Sequence, residues 1–205
     1  MPNGGGKGAA IDIDHTIQSP EDVEVLIYSY YRNAEMHGSN LLLRLMRLLK
    51  DPVSQVNLTR HLADEARHAW IWTKRIRELG RAPIVVSDGY QVRMGQRAGM
   101  TRDPLNLLAL TYVAENRAVA RYEEHMERPD ISEETREVLR AVTGDEFWHI
   151  KWVHEKAVEL AEEAGDVALA EKAISRYQEI DCAVVAELAE FEEELEKRGA
   201  AVAAD

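Results

Sequence analysis

Two copies of an Asp-Glu-x-x-His motif constrain the fold of this chain more than any other feature. The first copy runs from Asp64 to His68 and the second from Asp145 to His149. A single Glu-x-x-His match is weak evidence, because chance gives about one in a chain with this many Glu and His residues. Residues three apart in an α-helix point toward the same region of space, so each Glu and its His can bind one ligand. The duplication therefore predicts two helices that contribute equivalent side chains to one site.

Each motif follows a lone glutamate that lies in an apolar helical stretch. Glu35 precedes Glu65 by 30 residues, and Glu115 precedes Glu146 by 31 residues. Four ionised carboxylates in a helical core would each cost several kcal/mol if they were unpaired. Two divalent cations would neutralise them, and oxygen and imidazole donors suit iron or manganese. The sequence thus predicts a two-metal centre whose ligands are Glu35, Glu65, His68, Glu115, Glu146 and His149.

Other residues near the motifs have two competing interpretations. A metal-bound histidine commonly donates its second ring N–H to a carboxylate, so Asp64 and Asp145 are predicted to contact the histidine of the facing helix. The alternative is a pair of solvated aspartates. His61 lies one turn before Glu65 and is either a core histidine or a pocket residue. Four tyrosines lie on or near the ligand faces, namely Tyr28, Tyr31, Tyr112 and Tyr122. They either line a pocket or pack in the core, and core packing is the expected role for most of them.

Composition and charge narrow the class of protein. The chain has 205 residues, enough for one domain with a full core, and its formal net charge of −12 argues against nucleic acid as a main partner. Cys182 is the only cysteine, so no disulfide forms within one chain, which is typical of a reducing cytosol. The sequence has neither an apolar run of about 18 residues nor the apolar core of a signal peptide. These features predict a soluble, cytoplasmic protein without membrane contact.

Helix signals divide the chain into a flexible N-terminal tail over 1–18, a helical bundle over 19–165 and a C-terminal helix over 166–205. Capping residues, prolines and glycines mark the helix boundaries, namely Ser19-Pro20, Asp51-Pro52, Gly80, Asp103-Pro104, Ser132 and Gly165. Residues 81–102 form the longest gap between helical patterns, and we expect a crossover there with little regular structure. The fold class is therefore all-α, with two helical hairpins, one long crossover and an added fifth helix.

At these residues the chain resembles the ferritin-like superfamily of di-iron carboxylate proteins, over roughly 20–162. Glu35 and Glu115 match the single-Glu positions of that superfamily, and the two Glu-x-x-His motifs match its paired motifs. The ligand spacing is similar to that of the aldehyde-deformylating oxygenases, the rubrerythrins and the ferritin-like tRNA hydroxylases. The chain departs from the rubrerythrins because it lacks a Cys-x-x-Cys pair and has Ala118 where they carry an extra glutamate. The resemblance implies a ferritin-like four-helix bundle that binds two iron ions.

Three functions are compatible with these residues. The first is an oxidase or oxygenase that activates O2 for the oxidation of a small organic substrate and receives electrons from an external donor. The second is a ferroxidase or iron-handling protein without an organic substrate. The third is a helical interaction module without metal. The two motif histidines and the long fifth helix favour the first. Exposed faces of such bundles often pair, so a homodimer is one expected state, whereas nucleic acid and membranes are not expected partners.

Overall fold

The computed structural model describes residues 11–99 and 101–204, and this part of the chain contains helices and no strands. The helices are α1 (Ile13–Thr16), α2 (Pro20–Leu48), α3 (Pro52–Glu78), α4 (Tyr90–Ala98), α5 (Pro104–Glu127), α6 (Glu133–Glu163) and α7 (Ala168–Ala204). The predicted all-α fold class is confirmed. None of these described helices is both long and apolar enough to cross a membrane.

The helices of the bundle begin where capping side chains satisfy free backbone N–H groups. Asp51 accepts a hydrogen bond from the third residue after it, and Pro52 occupies the first turn of α3. Asp103 and Pro104 repeat this arrangement at the start of α5. Ser132 caps α6 in the same way. Three of the four long bundle helices therefore begin at positions that local chemistry specifies.

Two hairpins form the bundle. α2 packs along α3, and α5 packs along α6, while contacts of α3 with α6 and of α2 with α5 join the hairpins. Cross-helix hydrogen bonds give the relative direction of α2 and α5. Tyr31 bonds to His125, and Glu35, which comes later in α2, bonds to Tyr122, which comes earlier in α5. α2 and α5 are thus antiparallel. α7 packs mainly on α5 and α4, outside the four-helix core.

Two segments are more ordered than the sequence indicated. The predicted flexible tail covers 1–18, of which residues 1–10 lie outside the described residues. Residues Ile13–Thr16 instead form α1, and Ile13 and Ile17 are buried against Leu26 and Leu195. The flexible assignment is therefore wrong for 13–17, because two isoleucines four apart form an apolar face that α2 and α7 cover.

The crossover also contains regular structure, contrary to the expectation for 81–102. α4 spans nine residues of it and buries Tyr90 and Met94, which lie four apart on one face. The hydroxyl of Tyr90 donates a hydrogen bond to Asp181 of α7. Glycines at 89, 95 and 99 concealed this short helix in the sequence, since glycine has a low helix propensity. Tertiary contacts with α7 therefore stabilise what the local sequence does not specify.

Candidate metal centre

Four buried glutamates form a carboxylate layer across the middle of the bundle, one from each of its helices: Glu35, Glu65, Glu115 and Glu146. Each glutamate has a nearly fully buried apolar residue seven positions before it and another seven positions after it. These flanking residues are Tyr28 and Leu42, Leu58 and Trp72, Leu108 and Tyr122, and Leu139 and Val153. They belong to two separate apolar clusters, one on each side of the layer. Seven residues span about two helical turns, so the layer lies in register on all four helices.

The carboxylate layer and its histidines form two overlapping groups in which the candidate donor atoms lie within 4.8 Å of one another. The first group contains Glu35, Glu65, His68 and Glu146, and the second contains His61, Glu65, Glu115 and His149. Glu65 belongs to both groups. Glu146 also reaches both, because its carboxylate oxygens lie 3.2 Å from Nδ1 of His68 and 2.8 Å from Nδ1 of His149. The structure therefore brings all six predicted ligands into one continuous site and adds His61.

Each motif histidine has an aspartate carboxylate next to Nε2, the ring nitrogen that faces away from the carboxylate layer. Nε2 of His68 lies 3.2 Å from Oδ2 of Asp145, and Nε2 of His149 lies 3.3 Å from Oδ2 of Asp64. These are the cross-helix contacts expected for the two aspartates. A carboxylate accepts the Nε2–H proton, so Nδ1 of each ring is left to face the carboxylate layer with its lone pair. In this neutral tautomer each Nδ1 offers its lone pair to a cation beside the carboxylate layer, and that cation is either a proton or a metal ion.

Unpartnered atoms also indicate a cation. Oε1 of Glu65 and Nδ1 of His68 are buried and have no hydrogen-bond partner among the described residues. Burial, reinforced by Glu115 and Glu35, raises the pKa of Glu65 well above its usual range. Burial acts to lower the pKa of His68, but Glu146 and Glu35 outweigh it and raise the pKa to about 11. Without metal, protons thus supply the positive charge that this site needs, and two divalent cations fit the same four carboxylates and two imidazoles.

Gly38 is a site residue that the sequence analysis missed. A Cβ atom at this position would lie 2.0 Å from Oε2 of Glu65, far inside the contact distance of real atoms. The Glu65 carboxylate therefore occupies space that only glycine leaves open on α2. A glycine in the interior of an amphipathic helix, three residues after Glu35, was the available signal, since glycine costs helix stability there.

The predicted tyrosines occupy different places. Tyr122 donates a hydrogen bond to Oε1 of Glu35 and is the one of the four that contacts a candidate ligand among the described residues. Tyr31 lies behind it, edge-on to its ring, and bonds to His125. Tyr28 bonds to Thr135 in the apolar cluster, and Tyr112 packs on the exposed His154. Core packing therefore accounts for most of them, as expected.

A cavity of about 170 Å³ follows the seam between α2 and α5, and α4 covers it. Its walls are largely apolar and include Leu41, Met94 and Leu110. His37 and Ala114 lie at the end near the carboxylate layer, because they are close in sequence to Glu35 and Glu115. Arg44 and Leu107 lie at the other end, seven residues after His37 in α2 and seven residues before Ala114 in the antiparallel α5. At 1.5 Å per residue, this α2–α5 cavity is about 10 Å long.

No protein-family model and no curated protein sequence matches this chain. Among solved structures, the chain is similar to "Protein 19 with aldehyde deformylating oxidase activity from Synechococcus". The TM-score is 0.67 and the sequence identity is 19%, and the match covers 94% of this chain and 88% of that one. A likeness at this identity establishes the fold. The chain therefore has a ferritin-like all-α bundle fold, as its motifs predicted, and its two carboxylate–histidine groups fit a di-iron protein of that fold.

Proposed function

We propose that this protein is a non-haem di-iron enzyme that uses O2 to oxidise or oxygenate a small, mostly apolar organic molecule. The pair of overlapping donor groups that share Glu65 carries the proposal. A storage protein needs a route that passes oxidised iron onward, whereas this site is enclosed between two apolar clusters. The oxidase activity in the name of the similar structure supports the same class of reaction.

The ligands, the two aspartates and Tyr122 have different roles in the proposed centre. The residues that would hold two iron ions are Glu35, Glu65, His68, Glu115, Glu146 and His149. Such a centre would supply electrons for O2 reduction and would be reduced again by an external donor. Asp64 and Asp145 hold the Nε2–H groups of the two imidazoles and so keep Nδ1 available to the metal. The Tyr122 hydroxyl donates to Glu35, which orients that carboxylate and keeps a proton beside the site.

The α2–α5 cavity is the proposed substrate pocket. One end of the cavity lies at the height of the carboxylate layer along α2 and α5, although no candidate ligand lines it, so the proposal requires that this end gives a substrate access to the metals. Its apolar walls and length fit an extended hydrocarbon chain about 10 Å long. Linear aldehydes are the first substrates to test, because the similar structure is named for activity on an aldehyde.

The test of this function begins with metal-free protein that is loaded with Fe(II) under anaerobic conditions. We expect two tightly held irons per chain, O2 consumption on exposure to air, and conversion of octanal that depends on a chemical reductant. His149→Ala should hold fewer irons and consume O2 more slowly, with unchanged helix content by circular dichroism. The control is His154→Ala, which changes an exposed histidine one and a half turns further along α6.

Excess Fe(II) in air distinguishes the alternative. An enzyme keeps two irons per chain and leaves the excess to precipitate outside the protein. Soluble uptake of many irons per chain, without conversion of any aldehyde, would establish iron handling instead. A protein that binds fewer than one iron per chain would exclude both functions.

A narrower cavity tests the substrate pocket separately from the metal centre. Ala114→Leu adds three carbons to the cavity wall beside Glu115, so we expect a higher KM for octanal and an unchanged count of two irons per chain. Val113→Leu is the control, since residue 113 belongs to the apolar core and not to the cavity lining. Equal KM values for Ala114→Leu and wild type would place the substrate elsewhere.

A further inference from the structure

Three buried histidines surround the carboxylate layer, and His61 is oriented opposite to the other two. All three rings are fully excluded from solvent. His68 and His149 each turn one nitrogen to an aspartate, which accepts a proton. His61 instead turns its outer nitrogen, Nδ1, to the indole nitrogen of Trp152 at 3.3 Å. The partner behind each ring is therefore an acceptor in two cases and a donor in the third.

The indole of Trp152 determines which nitrogen of His61 carries the proton. An indole N–H can donate but cannot accept, so Nδ1 of His61 must present its lone pair to Trp152. A neutral imidazole has one N–H, and that proton then resides on Nε2. Nε2 lies 3.1 Å from Oε1 of Glu115 and 3.4 Å from Oε1 of Glu65. His61 thus directs an N–H toward the carboxylate layer, where the other two histidines offer Nδ1 to a proton or a metal ion.

We propose that His61 is a positioning residue that donates its Nε2–H to Glu115, and that it is not a seventh metal ligand. The inference rests on the proposed function, because it gives His61 a role toward a metal-binding carboxylate. Metal coordination through Nε2 would need the proton to move to Nδ1, where it would face the N–H of Trp152. The contact with Trp152 therefore opposes coordination by His61, although the ring lies within reach of the second donor group.

The His61 ring also supports its neighbour on α6. It stacks on the ring of His149 with 3.6 Å between centroids and 20° between planes. His61 consequently fixes Glu115 through a hydrogen bond and His149 through ring contact. Both of these residues belong to the second donor group, so loss of His61 should weaken that metal position more than the first.

Nitrogen NMR of histidine-labelled protein tests the proton position directly. In metal-free protein we expect His61 to carry its proton on Nε2 and to leave Nδ1 unprotonated. After Zn(II) is added, His68 and His149 should show Nδ1 shifts typical of metal coordination, while His61 keeps its Nε2–H. The signals of His61 are assigned by their loss in His61→Gln. A zinc-induced loss of the Nε2 proton of His61 would establish it as a ligand and overturn the proposal.

Matched variants test the role through zinc affinity. His61→Gln keeps an N–H donor of similar reach, whereas His61→Leu keeps the volume and removes the donor. We expect both variants to bind two Zn(II) per chain. The zinc affinity of the weaker site should fall about 10- to 100-fold in His61→Leu and by a smaller factor in His61→Gln. Trp152→Phe removes the indole N–H, so part of the His61 population should move its proton to Nδ1.

Three outcomes would contradict the positioning role. One zinc per chain in both His61 variants would make His61 a ligand. Wild-type affinity in His61→Leu would make it an ordinary core residue. If the wild type binds no Zn(II) and no Fe(II), the proposed function fails, and the role toward a metal ligand fails with it. The metal-free spectrum still decides where the proton of His61 lies in that case.

Discussion

Asp145 and His68 lie on facing helices, and Oδ2 of Asp145 is 3.2 Å from Nε2 of His68. Arg67 also donates to the same carboxylate oxygen and to Asp64. Burial acts to raise the pKa of Asp145, but the hydrogen bonds from Arg67 and His68 outweigh it and lower the pKa. Asp145 is therefore ionised at neutral pH and remains an acceptor for the imidazole N–H. The contact sets the orientation of His68 from outside the metal centre.

Replacement of this acceptor should weaken metal binding without loss of a ligand. Asp145→Asn and Asp64→Asn can each present an amide N–H to the imidazole, which disfavours the tautomer with Nδ1 free. We expect the Kd for Fe(II) to rise about 10- to 100-fold, with two irons per chain at saturation. The control is Asp88→Asn, since Asp88 is as exposed as Asp64 but bonds to Tyr30, away from the site. Equal Kd values in the three variants would contradict this role.

Gly38→Ala should separate helix stability from metal affinity. Alanine favours a helix over glycine by about 1 kcal/mol, but its Cβ would displace the Glu65 carboxylate. We expect a Kd for Fe(II) that rises about tenfold or more, measured by competition with a chelator. Gly144→Ala on α6 is the control, because nothing lies within 4 Å of its Cβ position. That variant should gain stability and keep the wild-type Kd, so a loss of affinity in both would point to a general effect.

Metal removal should destabilise the protein, and the effect should grow with pH. The folded-state pKa of Glu65 is raised, so the stability linked to its protonation is fully present below about 4.5 and is lost as pH rises. Bound metal replaces that proton. The difference in Tm between the loaded and metal-free forms, measured by calorimetry, should therefore widen from pH 5 to pH 8.

Glu65→Gln provides the matched variant for metal removal. The amide removes one negative charge from the carboxylate layer, so the metal-free variant should melt at or above the metal-free wild type at pH 8. It should also lose most of the rise in Tm on addition of Fe(II). Identical melting of loaded and metal-free wild type at pH 8 would be incompatible with a cluster of ionised glutamates in the core.

His125 should make the protein sensitive to mild acid. Burial, together with the nearby Arg128, lowers the pKa of His125 from 6.5 to about 4. Because the pKa is lower in the folded state, the contribution of His125 to the free energy of unfolding is fully present above pH 6.5 and is lost as pH falls through 4. This contribution is on the order of 3 kcal/mol. His125→Asn keeps an acceptor for the Tyr31 hydroxyl and should flatten this decline.

Chemical denaturation of the metal-free protein between pH 7 and pH 4 measures this effect. His154→Asn is the control, because this histidine is exposed and should leave the pH profile unchanged. If the unfolding free energy falls equally with pH in wild type and in His125→Asn, other groups cause the decline.

The sequence by itself determined the carboxylate layer and its two motif histidines. Their positions follow from helical periodicity, which is local: Glu65 and His68 share a face because they are three residues apart, and Leu58 and Trp72 place that face in the core. The two hairpins repeat this pattern, and the resemblance to a known superfamily rests on the same residues. The sequence also predicted that Asp64 and Asp145 contact the histidine of the facing helix.

Only the tertiary structure decided the roles of His61, Gly38 and the short helices. His61 depends on Trp152, which is 91 residues away on another helix and supplies the donor that fixes its proton. Gly38 matters because the Glu65 carboxylate from α3 fills the space beside it. α1 and α4 are held by contacts with α7, which their own short apolar patterns do not reveal. Helix faces are set by spacing along the chain, whereas donor and acceptor pairs between helices are set by how those faces pack.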